Sequence, residues 1–146
     1  MFPGRTTLGT ASEVLLDIEL RLRPDPRSPA EARRTLDVLR PSIGDPVVDD
    51  AALLVSEVVS NSVRHARLDP SDAIEVRIRG SRSMLHVDVI DKGPGFEPDA
   101  RPRVGDGGWG LRLLDRLSTR WGVVNGETTR VWFDLAPVSG DAPAGT

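Results

Sequence analysis

The stretch from Leu53 to Ala66 reads LLVSEVVSNSVRHA, and the rest of the chain is arranged around it. Its apolar side chains recur at intervals of three and four residues, the spacing of one face of an amphipathic helix. They are Leu53, Leu54, Val55, Val58, Val59 and Val63. Glu57, Asn61 and His65 are four residues apart and therefore share a polar face of the same helix. A polar face of this kind is ordinarily a solvated surface. Here two glycine-rich segments later in the chain favour a functional site instead.

Composition excludes several classes of protein. The chain has 146 residues, the length of one ordinary domain, with 38% hydrophobic and 28% charged residues, as is typical of a globular protein with a packed core. It has no cysteine, which excludes disulfides and thiolate metal sites. A net charge of -3 argues against a nucleic-acid partner. No apolar run could cross a membrane or act as a signal peptide, so the sequence predicts a cytoplasmic protein without membrane contact.

The order of patterns predicts the fold. Alternating apolar and polar residues predict strands over 14–22, 74–79, 84–90, 120–124 and 130–135. One helix is expected from an N-cap at Ser28 to the residue before Pro41, a second after a cap at Asp45, and a short one over 109–117. The prediction is an α/β (α+β) two-layer sandwich, a mostly antiparallel mixed sheet with three helices on one face. The domain spans 13–136, between flexible tails at 1–12 and 137–146.

Two glycine-rich segments carry the candidate chemistry. Asp91 ends a strand and opens the run DKGPGF, where a carboxylate can accept a hydrogen bond from an exocyclic amine and glycines let a ligand approach the backbone. Gly107, Gly108 and Gly110 lie at the start of the last helix, where backbone amides can hold phosphate oxygens. Taken singly, the first segment is better explained as a structural turn, and the second can be explained as a flexible hinge. The segment 91–108 is long for a loop, which favours a functional lid.

Taken together, these motifs resemble a known superfamily. Glu57-x-x-x-Asn61, Asp91-x-Gly93-x-Gly95 and Gly108-x-Gly110-Leu111 resemble the N, G1 and G2 boxes of the GHKL ATPases. The runs SEVVSNSVRHA, DKGPGF, GGWGLRLLDRLSTRWG and RVWFDL are similar to the small bacterial anti-sigma-factor serine kinases. The resemblance implies the Bergerat ATP-binding fold, with ATP and Mg²⁺ as cofactors.

The resemblance also implies a role for each matching residue. Asn61 would bind Mg²⁺ through its side-chain oxygen, Glu57 would orient or deprotonate the attacking hydroxyl, and Asp91 would hydrogen-bond the adenine amine. Gly93 and Gly95 would shape the pocket floor. The phosphate contacts would come from Gly107, Gly108, Gly110 and the amide of Leu111.

Three positions stay open. A threonine near the start of the last strand supports adenine binding in similar proteins; here Arg130 takes that position in the simplest register, and Thr129 takes it if the preceding turn is one residue longer. His65 either fixes the helix or lid or is structural. Trp109 either shields the pocket or packs the following helix.

The implied function is an ATP-dependent protein-serine kinase. It would phosphorylate a serine of a STAS-type anti-anti-sigma partner, sequester a sigma factor and form a homodimer. The alternative is an ATP-dependent switch that binds a partner without phosphotransfer. A sensor histidine kinase is disfavoured, since no helical hairpin with a phosphoacceptor histidine precedes the domain.

Overall fold

In the part of the chain that the structure describes, the sheet has five strands, and every pair of neighbours is antiparallel. The computed structural model describes residues 16–65, 69, 71–81, 83–92 and 109–136; the predicted tails and most of the predicted lid lie outside them. The strands are β1 (Leu16–Leu22), β2 (Ile74–Gly80), β3 (Leu85–Asp91), β4 (Arg120–Asn125) and β5 (Thr129–Leu135). Their order in the sheet is β1-β2-β3-β5-β4, so β5 inserts between β3 and β4 and its first residues meet the last residues of β3.

The helices form the second layer. They are α1 (Ser28–Leu36), a 3-10 turn (Asp37–Leu39), α2 (Arg40–Ile43), α3 (Asp45–His65) and α4 (Trp109–Leu117). The longest, α3, packs against α1 on one side, against α4 on another, and against β3 and β5. The two-layer sandwich is confirmed, and the predicted bounds of α4 agree with the structure.

Three predicted helix boundaries were wrong. The helical backbone does not stop before Pro41, because Pro41 lies in the first turn of α2, where its missing N–H is not needed. The break comes at Gly44, whose φ of 102° favours glycine. Asp45 is the first residue of α3, not its cap. Ser28 is likewise the first residue of α1, and its hydroxyl donates to the carbonyl of Arg23 rather than capping the helix.

The core lies between α3 and the inner face of the sheet. Alternate residues of β2 and β3 are buried there, as the sequence pattern predicts. Phe133 of β5 and Leu54, Val55 and Val59 of α3 are fully buried in one apolar cluster. Leu53 of the predicted apolar stripe is 42% exposed, but Leu54, Val55, Val58 and Val59 are held in this core. The polar edge of α3 is therefore fixed relative to the sheet.

The outer face of the sheet carries an ionic network. His86 places its Nδ1 2.5 Å from Asp134 Oδ1 and its Nε2 3.2 Å from Asp88 Oδ2, and its ring stacks on Trp132 with centroids 5.8 Å apart. Arg130 donates from NH1 to Asp88 Oδ1 at 3.0 Å. Asp88 is 2% exposed and Asp134 is 4% exposed, so their buried charges need these partners.

This network predicts a pH-dependent stability. Burial alone would lower the pKa of His86, but its hydrogen bonds to Asp134 and Asp88 outweigh burial and raise that pKa to about 9. The folded pKa therefore lies above the unfolded value of about 6.5. The stabilisation is fully present below about pH 6.5 and is lost as the pH rises through 9. We expect His86→Gln to lower the free energy of unfolding by roughly 1–2 kcal/mol at pH 6, and by less as the pH rises towards 9.

Urea unfolding of both proteins between pH 6 and pH 9 measures this difference. His65, the only other histidine, is present in both proteins, so its titration cancels in the comparison. A stability difference that stays constant across this pH range would contradict the assigned ion pairs.

Candidate functional site

Two buried side chains face each other where β3 ends and β5 begins. Asp91 and Thr129 are direct cross-strand partners on the inner face, and they are 7% and 4% exposed. Arg130 points to the opposite face, where it pairs with Asp88. The register therefore puts Thr129, and not Arg130, beside Asp91.

Ser62 of α3 completes this buried group. Its hydroxyl donates to Asp91 Oδ2 over 2.5 Å, and Ser62 itself is 7% exposed. Sequence reasoning missed this residue, although a signal was present. Ser62 lies three residues after Val59 and seven after Val55, on the core-facing stripe of the helix. A hydroxyl on that stripe needs a partner.

The polar edge of α3 continues from this point along the helix. Asn61 and Glu57 are both half-buried and lie one turn apart, about 6 Å along the axis. Arg64 donates from NH2 to Asn61 Oδ1 at 3.3 Å. The carboxylate of Glu57 has no hydrogen bond or ion pair to any residue that the structure describes. A carboxylate and an amide oxygen thus lie one turn apart on the helix that donates to Asp91.

Asn61 fits the predicted magnesium role by its chemistry. Mg²⁺ prefers hard oxygen ligands and usually takes one or two from the protein, with the rest from phosphates and water. An amide oxygen has two lone pairs, so the bond from Arg64 leaves acceptor capacity at Oδ1. Within the described ranges, no group of three or more His, Asp or Glu side chains could hold a metal ion.

The glycine segments are described only in part. Gly93, Gly95, Gly107 and Gly108 lie outside the described residues, and so do the side chains of His65, Trp109 and Leu111. Gly110 and Leu111 are the second and third residues of α4. The first turn of a helix has backbone N–H groups without partners inside the helix, so the predicted phosphate contact at this place remains a prediction.

These features define a class of protein: a two-layer sandwich with a polar helix edge beside a buried aspartate at the end of a central strand. Residues 22–134 match the family model described as the histidine kinase-like ATPase domain. The chain belongs to this family, and it is a GHKL-type ATPase domain for which ATP is the implied ligand.

A solved structure has the same fold. The chain is similar to the crystal structure of the RsbU and RsbW domains of Rv1364c from Mycobacterium tuberculosis, with a TM-score of 0.64 and 20% sequence identity. The match covers 82% of this chain and 32% of that one, so this chain spans about a third of its relative's length. At this identity the likeness shows the fold alone. No curated protein matches the chain. None of the helices described here is long and apolar enough to span a membrane.

Proposed function

We propose that the protein is an ATP-dependent protein-serine kinase that phosphorylates a serine of a STAS-type anti-anti-sigma partner and sequesters a sigma factor. Membership of the ATPase family supports ATP as the phosphoryl donor. The resemblance of the runs SEVVSNSVRHA and GGWGLRLLDRLSTRWG to anti-sigma kinases supports the reaction and the partners.

The Ser62–Asp91 hydrogen bond is the observation that carries the proposal. It puts Asp91 in contact with α3, the helix that carries Asn61 and Glu57. In the proposed complex, Asp91 accepts a hydrogen bond from the adenine amine, with Thr129 beside it. The phosphates lie along the edge of α3, towards the first turn of α4, where Gly110 and Leu111 offer backbone amides.

The transfer step assigns one role to Glu57. The serine Oγ of the partner forms a bond to the γ-phosphorus, the bond from that phosphorus to the β–γ bridging oxygen breaks, and ADP leaves. Glu57 accepts the proton of the serine hydroxyl. Mg²⁺, held by Asn61 Oδ1 together with phosphate oxygens and water, would offset the phosphate charge.

Transfer of a labelled phosphoryl group tests this function. Candidate partners come from a pull-down on the full chain followed by mass spectrometry. Each partner is incubated with the protein, Mg²⁺ and ATP labelled at the γ-phosphate. We expect label on one serine of a STAS-type partner and none when its serine is replaced by alanine. ATP binding without label on any partner would instead support the switch without phosphotransfer.

The homodimer is a further part of the proposal. Strand β1 is outermost in the described sheet, and its inner-face residues Leu16, Ile18 and Leu20 are only half-buried. This edge is therefore our candidate for the contact between two copies, and sedimentation velocity at several concentrations measures whether the dimer forms.

A further inference from the structure

The hydrogen bond between Ser62 and Asp91 joins two elements that are far apart in the chain. Its partners are 29 residues apart in sequence and both are buried. The 2.5 Å separation is that of a short hydroxyl–carboxylate bond, the charge-assisted kind that is stronger than a neutral one. Such a bond from a helix fixed in the core restrains the rotation of the Asp91 carboxylate.

We propose that Ser62 is a positioning residue that gives the site its preference for a 6-amino purine. The inference rests on the proposed function, since it takes Asp91 as the acceptor for the adenine amine. A carboxylate has about four lone-pair sites, so it can accept the Ser62 hydroxyl and an amine at the same time. By fixing the orientation of Asp91, Ser62 aims that acceptor at the exocyclic position of the base.

The competing explanation is that the bond merely ties α3 to β3. Loss of a structural tie would weaken the binding of every nucleotide to the same extent. Loss of a positioning contact would weaken only the nucleotide that has the 6-amino group. Purine riboside triphosphate is ATP without that amine, so the pair of ligands separates the two explanations within one variant.

The test measures the affinities of ATP and purine riboside triphosphate, both with Mg²⁺, for the full chain and for Ser62→Ala by calorimetry. We expect Ser62→Ala to weaken ATP binding by roughly five- to tenfold, the size of a lost hydrogen bond, and to change the binding of the analogue by less than twofold. Ser62→Thr, which keeps a hydroxyl, is expected to restore the preference for ATP.

Ser56→Ala is the matched control. Ser56 lies on the same helix and is also 7% exposed, but its hydroxyl donates to the carbonyl of Leu53 in its own helix. We expect it to leave the ratio of the two affinities unchanged. If the unmodified protein binds ATP but Ser62→Ala leaves the ratio of the two affinities unchanged, Ser62 is not a positioning residue. Absence of nucleotide binding by the unmodified protein would overturn both this inference and the proposed function.

Discussion

Asn61→Ala is expected to weaken the binding of Mg²⁺-ATP by roughly 10- to 150-fold, because it removes the one α3 side-chain oxygen assigned to the metal. A contact to a charged group is worth about 1.5–3 kcal/mol, and each 1.4 kcal/mol is a factor of ten in affinity. Calorimetry with ATP and Mg²⁺ measures the loss. The same titration in the presence of EDTA should show little difference between the variant and the unmodified protein, since no metal is then present.

The neighbouring serine provides the control for this variant. Ser60 precedes Asn61 on α3 and is half-buried, so Ser60→Ala truncates a polar side chain of the same helix without touching the assigned ligand. We expect it to keep its affinity for Mg²⁺-ATP. Unchanged affinity in Asn61→Ala would reject the metal role, and so would an equal loss in the presence of EDTA.

Glu57→Gln is expected to slow phosphoryl transfer by roughly 10²–10⁴-fold, the usual contribution of a positioned acid or base. Glutamine has nearly the same shape as glutamate but cannot take the proton of the attacking hydroxyl. The affinity for Mg²⁺-ATP should stay within a few-fold, because the change concerns the transfer step. Single-turnover transfer of labelled phosphate to the partner serine measures the rate.

Glu127→Gln makes the same chemical change in the exposed turn between β4 and β5, and it should transfer at the original rate. If Glu57→Gln also keeps that rate, the base is another group. If it loses nucleotide affinity to the same extent as transfer, Glu57 contributes to binding and not to the chemical step.

The parts of the fold that could be predicted are those with a strong period. Strand β2 alternates Ile74, Val76 and Ile78 with charged residues, and the structure buries the apolar set. Helix α4 has its bounds as predicted. Pro41 misled the prediction, because a proline that would break the middle of a helix is tolerated in a first turn. That a new helical turn begins at Arg40 was not visible in the local pattern.

The candidate site was harder to predict than the fold, for two physical reasons. A shift of one residue in a strand turns every side chain to the other face. The sequence did not determine the length of the turn before β5 to within one residue. Sequence alone therefore left Thr129 and Arg130 as alternatives. Ser62 was missed because its partner, Asp91, is distant in the chain, and helical spacing says nothing about contacts between elements.

The ion pairs on the outer face have a consequence for the inner one. His86 and Asp134 are direct cross-strand partners, and so are Asp91 and Thr129, within the same pairing of β3 with β5. If β5 slipped by one residue, Asp134 would leave His86, and Thr129 would leave Asp91 in the same movement. The ion pairs on the outer face therefore stabilise the strand register that places Thr129 beside Asp91 on the inner face.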